Sequence, residues 1–319
     1  MARKLKKPST KPIKMKTTLI TLLAATATTI ATAQKPEEAL IRVKYDFSHM
    51  TDTNKREDFY KETMMVVAGK NASVFLSYDT ILGDIDLMAD MERQNREQAG
   101  AATPIFRMPP RKKPANRTAF YYYANEQKLF VQEHLGAFYL VERDADKIDW
   151  KITAETRDIE SIKCKKATAY YRGRNWIAWF SEDIPFSTGP WLLVGLPGLV
   201  VQANDDKNEV MFEFAGLEKV DKNKKTTIKG VLDGNIVRYH GSTKILAENI
   251  IELPAKAIRA TPNEVKRLKE FMRDDPQGFA KAQLAAVGLG GLKPVSVAPR
   301  TSTPAPAPKV NNPIDKSKQ

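Results

Sequence analysis

One cysteine, Cys164, stands in the 319 residues of this chain, so no intramolecular disulfide can staple it. Histidine is also scarce: His49, His134 and His240 are the only three. They are scattered and never take the H-E-x-x-H spacing that places two metal ligands on one helix face. G-x-S-x-G, the Walker sequence and the dinucleotide fingerprint are absent. No cofactor and no metal are therefore expected. Beyond the N-terminal region no segment approaches the ~18 uninterrupted apolar residues of a membrane-crossing helix. Cys164 itself reads as a small buried apolar residue, since Lys163, Lys165 and Lys166 beside it give only weak support to a reactive thiolate.

Basic residues are abundant, and their distribution explains them. Residues 1–33 carry Arg3, Lys4, Lys6, Lys7, Lys11, Lys14 and Lys16 with no acid. An apolar stretch from Thr17 to Ala31 follows, and Ala31-Thr32-Ala33 fits the small-residue cleavage pattern before Gln34. This is the layout of a secretory signal, and Met15-Lys16 is already sufficient to open it. Gln34 stands where a lipoprotein would need cysteine, so the expectation is a mature, non-lipidated chain in the periplasm or at the outer-membrane surface. Of the formal +13, the signal holds seven charges and residues 299–319 a net +3, which leaves about +3 on the body between. A body that nearly neutral has no electrostatic footprint for nucleic acid.

The mature chain reads as one β-rich α+β domain over residues 34–298, with a curved, mainly antiparallel sheet, possibly an open barrel, packed with a few helices. Ile41, Val43, Tyr45 and Phe47 alternate with Arg42, Lys44 and Asp46, the period-two pattern of a half-buried strand. Short runs at 63–68, 73–78, 119–124, 128–133, 137–142, 150–153, 166–172, 175–180 and 210–214 continue it. Turn residues such as Asn125-Glu126, Leu135-Gly136 and Arg172-Gly173 separate several of these runs, which favours hairpins. Helices are expected over Ile81–Gln98 and after Thr261. There Thr261 serves as N-cap, Pro262 takes the first position and Glu264 completes a capping box; Val265, Leu268 and Met272 form its apolar face. Residues 100–116, with four prolines and four basic residues, read as a mobile surface loop. Residues 299–319 read as a Pro-rich tail, disordered or extended, because they offer little to bury.

The most distinctive stretch is Gly189-Pro190-Trp191-Leu192-Leu193-Val194-Gly195-Leu196-Pro197-Gly198-Leu199-Val200. It contains no acid, base, thiol or metal ligand. Gly195 and Gly198 can take positive φ angles, and proline fixes φ and holds its predecessor out of helix. The result is a stiff apolar connection that delivers Leu199 and Val200 to the next strand. The glycines do not form a phosphate cradle, because no Lys-Ser/Thr or helix start follows. In the preceding strand Trp176, Ala178 and Phe180 face one side, and Ile177 and Trp179 the other. Core packing is the main reading of this region; a hydrophobic ligand groove using Trp176, Trp179 and Trp191 is the second.

The order Cys164-Lys165-Lys166-Ala167-Thr168, Arg172-Gly173-Arg174-Asn175-Trp176, Ala178-Trp179-Phe180, Ile184-Pro185, Gly189-Pro190 and Gly195-Leu196-Pro197-Gly198-Leu199-Val200 resembles the hallmark of the GLPGLI family. Val200 stands where the family name has Ile. Tyr45-Asp46-Phe47-Ser48-His49 and Asn311-Asn312-Pro313-Ile314-Asp315 also resemble family features, although Lys316-Ser317-Lys318-Gln319 follow where relatives tend to have an acid and Leu. The resemblance implies an exported protein of the Bacteroidetes type and a fold, and it implies no reaction. The expected function is non-enzymatic binding of an apolar small molecule or of an envelope partner. The alternatives are an envelope hydrolase or metal-dependent enzyme drawing on His49, His134, His240, Asp205 and Glu182, and an accessory subunit of an outer-membrane machine. The acid pairs Asp205-Asp206 and Asp274-Asp275 read as solvated turns.

Overall fold

The computed structural model describes residues 34–100, 116–221, 241–286 and 310–317. The signal expected at 1–33, most of the loop expected at 100–116, His240 and the part of the expected tail before residue 310 lie outside the described residues. The remaining strand predictions hold, with ends shifted by a few residues. The strands are β1 Glu37–Glu38, β2 Ile41–His49, β3 Tyr60–Ala68, β4 Ala72–Ser77, β5 Ala119–Tyr123, β6 Lys128–Leu135 and β7 Ala137–Asp144. They continue as β8 Lys151–Ile159, β9 Ile162–Tyr171, β10 Arg174–Ser181, β11 Leu199–Asp205, β12 Val210–Lys219, β13 Ile250–Ile251 and β14 Ile258–Arg259. Among the described residues four helices accompany them: α1 Tyr78–Glu97, α2 Gly241–Glu248, α3 Pro262–Asp274 and α4 Pro276–Ala286.

Twelve strands form one sheet in the order β14-β7-β6-β5-β4-β3-β2-β12-β11-β10-β9-β8. Hairpins set most of the neighbours, as the short turns require. Two pairings depart from sequence order. β12 inserts beside β2 over a long antiparallel register from Val210↔His49 to Lys219↔Ile41, and β14 adds to β7 in parallel. The sheet is mainly antiparallel and is not closed into a barrel.

The two faces are filled differently. On one face Val43, Tyr45, Met64, Val66, Phe75, Trp176, Ala178, Phe180, Ala203 and Phe212 form the largest core cluster. The cover over that face is the chain's own connection between β10 and β11, which contributes Trp191, Leu192, Leu193 and Leu196. Phe75 of β4 and Phe212 of β12 meet at 5.9 Å between ring centroids although β3 and β2 lie between them, so this face curls around its filling. On the opposite face Met65, Val67, Val74, Leu76, Tyr121 and Phe130 pack against Ile81 and Ile85 of α1 and Ile245 and Leu246 of α2. β3 and β4 are therefore buried on both sides, which is why their sequences run apolar without alternation.

Helix α1 begins at Tyr78, three residues before its expected start, because Ser77 caps it by accepting from the Thr80 amide. Helix α3 begins as its sequence dictates, with Thr261 and Glu264 in a reciprocal capping box. Its Val265 packs with Leu135, Tyr139, Val141 and Phe279 at the β7 end of the sheet.

Candidate functional site

Three turns lie side by side at one end of the sheet: the β2–β3 turn, the β9–β10 turn at Arg172-Gly173, and the β11–β12 turn after Asp205. Antiparallel pairing brings all three to the same end. The segment Val310–Ser317 runs across them. The tail expected to be disordered or extended is thus docked over these eight residues, and Asn312 is 1% exposed. Its anchoring is polar and largely addressed to the peptide backbone, so a count of apolar residues does not reveal it.

Arg174 is the centre of this arrangement. Its Nη1 pairs with Asp205 Oδ2 and lies 3.2 Å from Glu209 Oε2. Its Nη2 donates to Asn312 Oδ1 at 2.8 Å and to the Pro313 carbonyl at 2.8 Å, and Nε donates to the Ile314 carbonyl at 3.1 Å. All three nitrogens of a buried guanidinium are therefore bonded. Asp205 also accepts from the Glu209 and Val210 amides. It is buried, in contrast to the solvated turn expected for the Asp205-Asp206 pair. Asp205 is the last residue of β11, and Asp206, the first residue of the turn, is the one bonded to the exposed Asn175 side chain.

Further contacts seat the segment on either side. Asn311 Oδ1 accepts from the Thr53 amide at 2.9 Å, Asn312 Nδ2 donates to the Met50 carbonyl at 2.7 Å, and His49 Nε2 donates to the Asn312 carbonyl at 2.7 Å. Arg172 Nη1 holds Asp315 at 2.5 Å, the Lys316 amide donates to the Arg172 carbonyl at 3.0 Å, and Lys316 Nζ reaches Glu209 at 3.3 Å. Gly173 has φ +78°, and a Cβ there would lie 2.6 Å from Lys316 Cβ. The absence of a side chain makes room for the segment.

The charges agree with this geometry. Burial alone would raise the Glu209 carboxyl, but Lys316 and Arg174 outweigh it and hold it below the usual carboxylate range. Burial likewise opposes Asp315, and Ser317 and Arg172 bring it below its ordinary value. His49 is lowered, first by burial and then by the Arg174 charge, against the opposing pull of its Asn312 bond, Asp205 and Glu209.

The connection between β10 and β11 is a separate feature. Gly195 and Gly198 take φ of +91° and +150° as their place in the sequence required. Gly198 lies against the Ser181 carbonyl with no room for a Cβ, whereas Gly195 faces open space. Trp191 also has positive φ, +54°, and its ring lies 5.6 Å from that of Trp176 and 6.0 Å from that of Tyr171. Tyr45 Oη donates to the Val200 carbonyl at 2.7 Å, Thr188 Oγ1 to Ser73 Oγ at 2.8 Å, and Trp150 Nε1 to the Val194 carbonyl at 2.9 Å. These bonds tie the connection and the start of β11 to β2, β4 and the residue before β8.

The three tryptophans do not share one groove. Trp176 is 1% exposed in the core. Trp191 borders a cavity of only about 20 Å³ with Phe75, Tyr122, Tyr171 and Leu192, room for a water and not for a lipid-sized molecule. Trp179 lies on the other face of β10 under the Arg157 guanidinium, 4.2 Å from its centroid. Of the dispersed polar candidates, His49 and Asp205 meet in the Arg174 cluster. Glu182 is paired with Lys165 at 2.7 Å, and His134 stands against Phe138 on β7. Among the described residues no group of three or more His, Cys, Asp or Glu could hold a metal ion. Cys164 is buried, and burial pushes its thiol up to about 11.

A second buried polar set escaped the sequence reading. Glu62 accepts from Ser77 Oγ, from Tyr60 Oη at 3.0 Å and from Asn116 Nδ2 at 3.1 Å. Arg117 grips Asp84 with both terminal nitrogens at 2.6 and 2.7 Å. These bonds fasten α1 to β3 and to the residues leading into β5.

No family model and no curated protein matches the chain. Among solved structures, PNGF-II is similar in two crystal forms, P21 and C2, each with a TM-score of 0.44 and 11% identity over 72% of this chain. The chain spans about a third of PNGF-II, 33% and 32% in the two forms. An uncharacterized conserved protein from Thermus thermophilus has a TM-score of 0.29 and 8% identity, over 71% of this chain and 90% of its own.

Proposed function

We propose that this is an exported, non-enzymatic protein of the cell envelope, of GLPGLI type, that acts by docking a partner protein on the outer face of β8–β10. One observation carries the reading: the interior is already taken. The curled face is filled by the chain's own β10–β11 connection, leaving a cavity of about 20 Å³, and the groups of the polar end are bonded to the chain's own tail. What remains available is the outer face, where Tyr170 is 74% exposed and Ile177 and Trp179 are half-buried on the neighbouring strand. An exposed aromatic beside half-buried Ile177 and Trp179 suits a protein interface better than a solvated surface. Export is supported by the N-terminal basic and apolar pattern ending at Ala33, and the family reading by the residue order from Cys164 to Val200.

The test has two arms. In a Gram-negative host the mature chain should be found outside the cytoplasm with Gln34 at its N-terminus by mass, and an uncleaved cytoplasmic chain sinks the export reading. A photo-crosslinking residue at Tyr170 should yield a protein adduct in the envelope fraction, while the same residue at Lys266 yields none. If the purified chain instead carries a stoichiometric apolar molecule by native mass spectrometry, the small-ligand reading replaces partner docking.

A further inference from the structure

We propose that the end of the sheet built by Arg172, Gly173 and Arg174 is a peptide-recognition site, and that its partner is the Asn311–Asp315 segment of a second copy of this chain. A lone copy seats its own segment there, and crowded copies exchange segments. This inference goes beyond partner docking on the outer face and stands independently of it, because it concerns different residues.

The body side of the site is organised without the tail. Asp205 and Glu209 hold Arg174 from within the body, and Asp205 is itself fixed by two backbone amides. Asp146 holds Arg172 through Nε at 3.1 Å, and the Tyr171 hydroxyl bonds both residues. A pre-organised site binds a peptide without having to order itself first. The peptide is read through three carbonyls, of Asn312, Pro313 and Ile314, and through the side chains of Asn311, Asn312 and Asp315. That combination specifies a short extended sequence, and every copy of this chain carries it.

The connecting chain is long enough for either arrangement. Helix α4 ends at Ala286, and its Gln283 lies against Gly136 in the β6–β7 turn. The docked segment begins beside Thr51 in the β2–β3 turn. Both turns are at the same end of the sheet and four strand spacings apart, about 19 Å. Residues 287–309 number 23, and such a length extends to about 75 Å. Whether a chain's own segment or that of a second copy makes these contacts is therefore a matter of effective concentration. Where copies are concentrated, reciprocal exchange makes a closed pair with the same contacts and no new interface.

The test traps the exchange covalently. In a Cys164→Ala background, one chain carries Thr53→Cys and a second, distinguishable by a tag, carries Asn311→Cys; Asn311 is exposed and Thr53 half-buried. On mixing and oxidation, the disulfide-linked heterodimer should rise with protein concentration. It should exceed, by about tenfold or more, the yield from Asn311→Cys paired with Lys266→Cys on α3, and a synthetic peptide of residues 310–317 should suppress it. Yields equal to that control at every concentration overturn the proposal. Independently, deleting residues 288–307 leaves a connector of three residues, with a reach of about 10–14 Å. This chain should be dimeric by light scattering, and a folded monomer at all concentrations would also overturn the proposal.

Discussion

Arg174 and Asn312, 138 positions apart in the sequence, are joined across the end of the sheet, Nη2 to Oδ1 at 2.8 Å. The same guanidinium is held by Asp205 and Glu209. Replacing it leaves Asp205 with its two backbone amides and no countercharge, and Glu209 with Lys316 as its one remaining cation. Arg174→Gln should cost about 3–5 kcal/mol of stability in urea denaturation, the usual consequence of removing one member of a buried ionic group. A loss below about 1 kcal/mol, the range of an exposed pair, would mean that the cluster is solvated.

Arg172 carries a separable role. It occupies the first centre of a two-residue turn, with φ +49° followed by Gly173 at +78°, the pattern for which Asn-Gly is favoured. Arg172→Asn should therefore leave the β9–β10 hairpin intact while releasing Asp315. Hydrogen exchange at the Lys316 amide should accelerate by about tenfold or more, the worth of a charge-assisted bond, with no change in the protection of β9 and β10. Loss of protection throughout the hairpin would show that the arginine serves the turn itself.

Acid should loosen the docked segment in two stages. His49 has a folded pKa below its ordinary 6.5, so it is favoured neutral in the folded state. Its contribution is complete above 6.5 and drains away as pH falls below it. Arg174, Asp205 and Glu209 are the charged groups facing it. Glu209 and Asp315 are also lowered, from 4.5 and 3.8, and their contribution is lost as pH falls through the lower folded values. Exchange protection of residues 311–316 should be flat above neutrality, decline mildly below about pH 6.5 and collapse in the carboxylate range. His49→Gln should remove the upper stage only. A profile that strengthens toward acid contradicts the assignment.

The two glycines of the apolar connection should behave unequally. At Gly198 a Cβ would run into the Ser181 carbonyl, backbone against backbone, so Gly198→Ala should cost about 3 kcal/mol or more. At Gly195 nothing lies within reach of a Cβ, so Gly195→Ala pays only the positive-φ penalty of about 1 kcal/mol. Thermal melts of the two variants decide this, and equal losses would contradict the packing described.

Cys164 should be inert. The residue is 2% exposed and burial pushes its thiol up to about 11, so a thiol reagent at pH 8 should label it only after the chain unfolds. Rapid labelling of the native protein would place it in a different setting.

Much of the sheet is legible in the residues. Alternation marks β2 and β12, and unbroken apolar runs mark β3 and β4 because both of their faces are covered. Thr261, Pro262 and Glu264 announce α3, since capping is a contact between near neighbours. The strand order is less legible: β12 pairs with β2 over a separation that local pattern does not encode. Helix α2 likewise went unread. The docked tail left the weakest trace, because Arg174 reads mostly main-chain carbonyls, and every sequence has those. The signal available was the Asn311-Asn312-Pro313 run and the crowded Arg172-Gly173-Arg174, residues too polar for a core and too constrained for a free loop. Asp205 was misread for a related reason, because an acid pair looks solvated until one of its members proves to be bonded inward.

The position of the docked segment late in the chain has a consequence for how the molecule is made. Arg174 meets Asp205 and Glu209 as soon as β12 is synthesised, but the donors that later hold Asn312, Pro313 and Ile314 must wait about a hundred residues more. Until then the end of the sheet is open to solvent where the segment will lie, with Arg174 held by Asp205 and Glu209 from within the body. A chain cut before the segment would lack the contacts that cover Arg172 and Arg174 at that end.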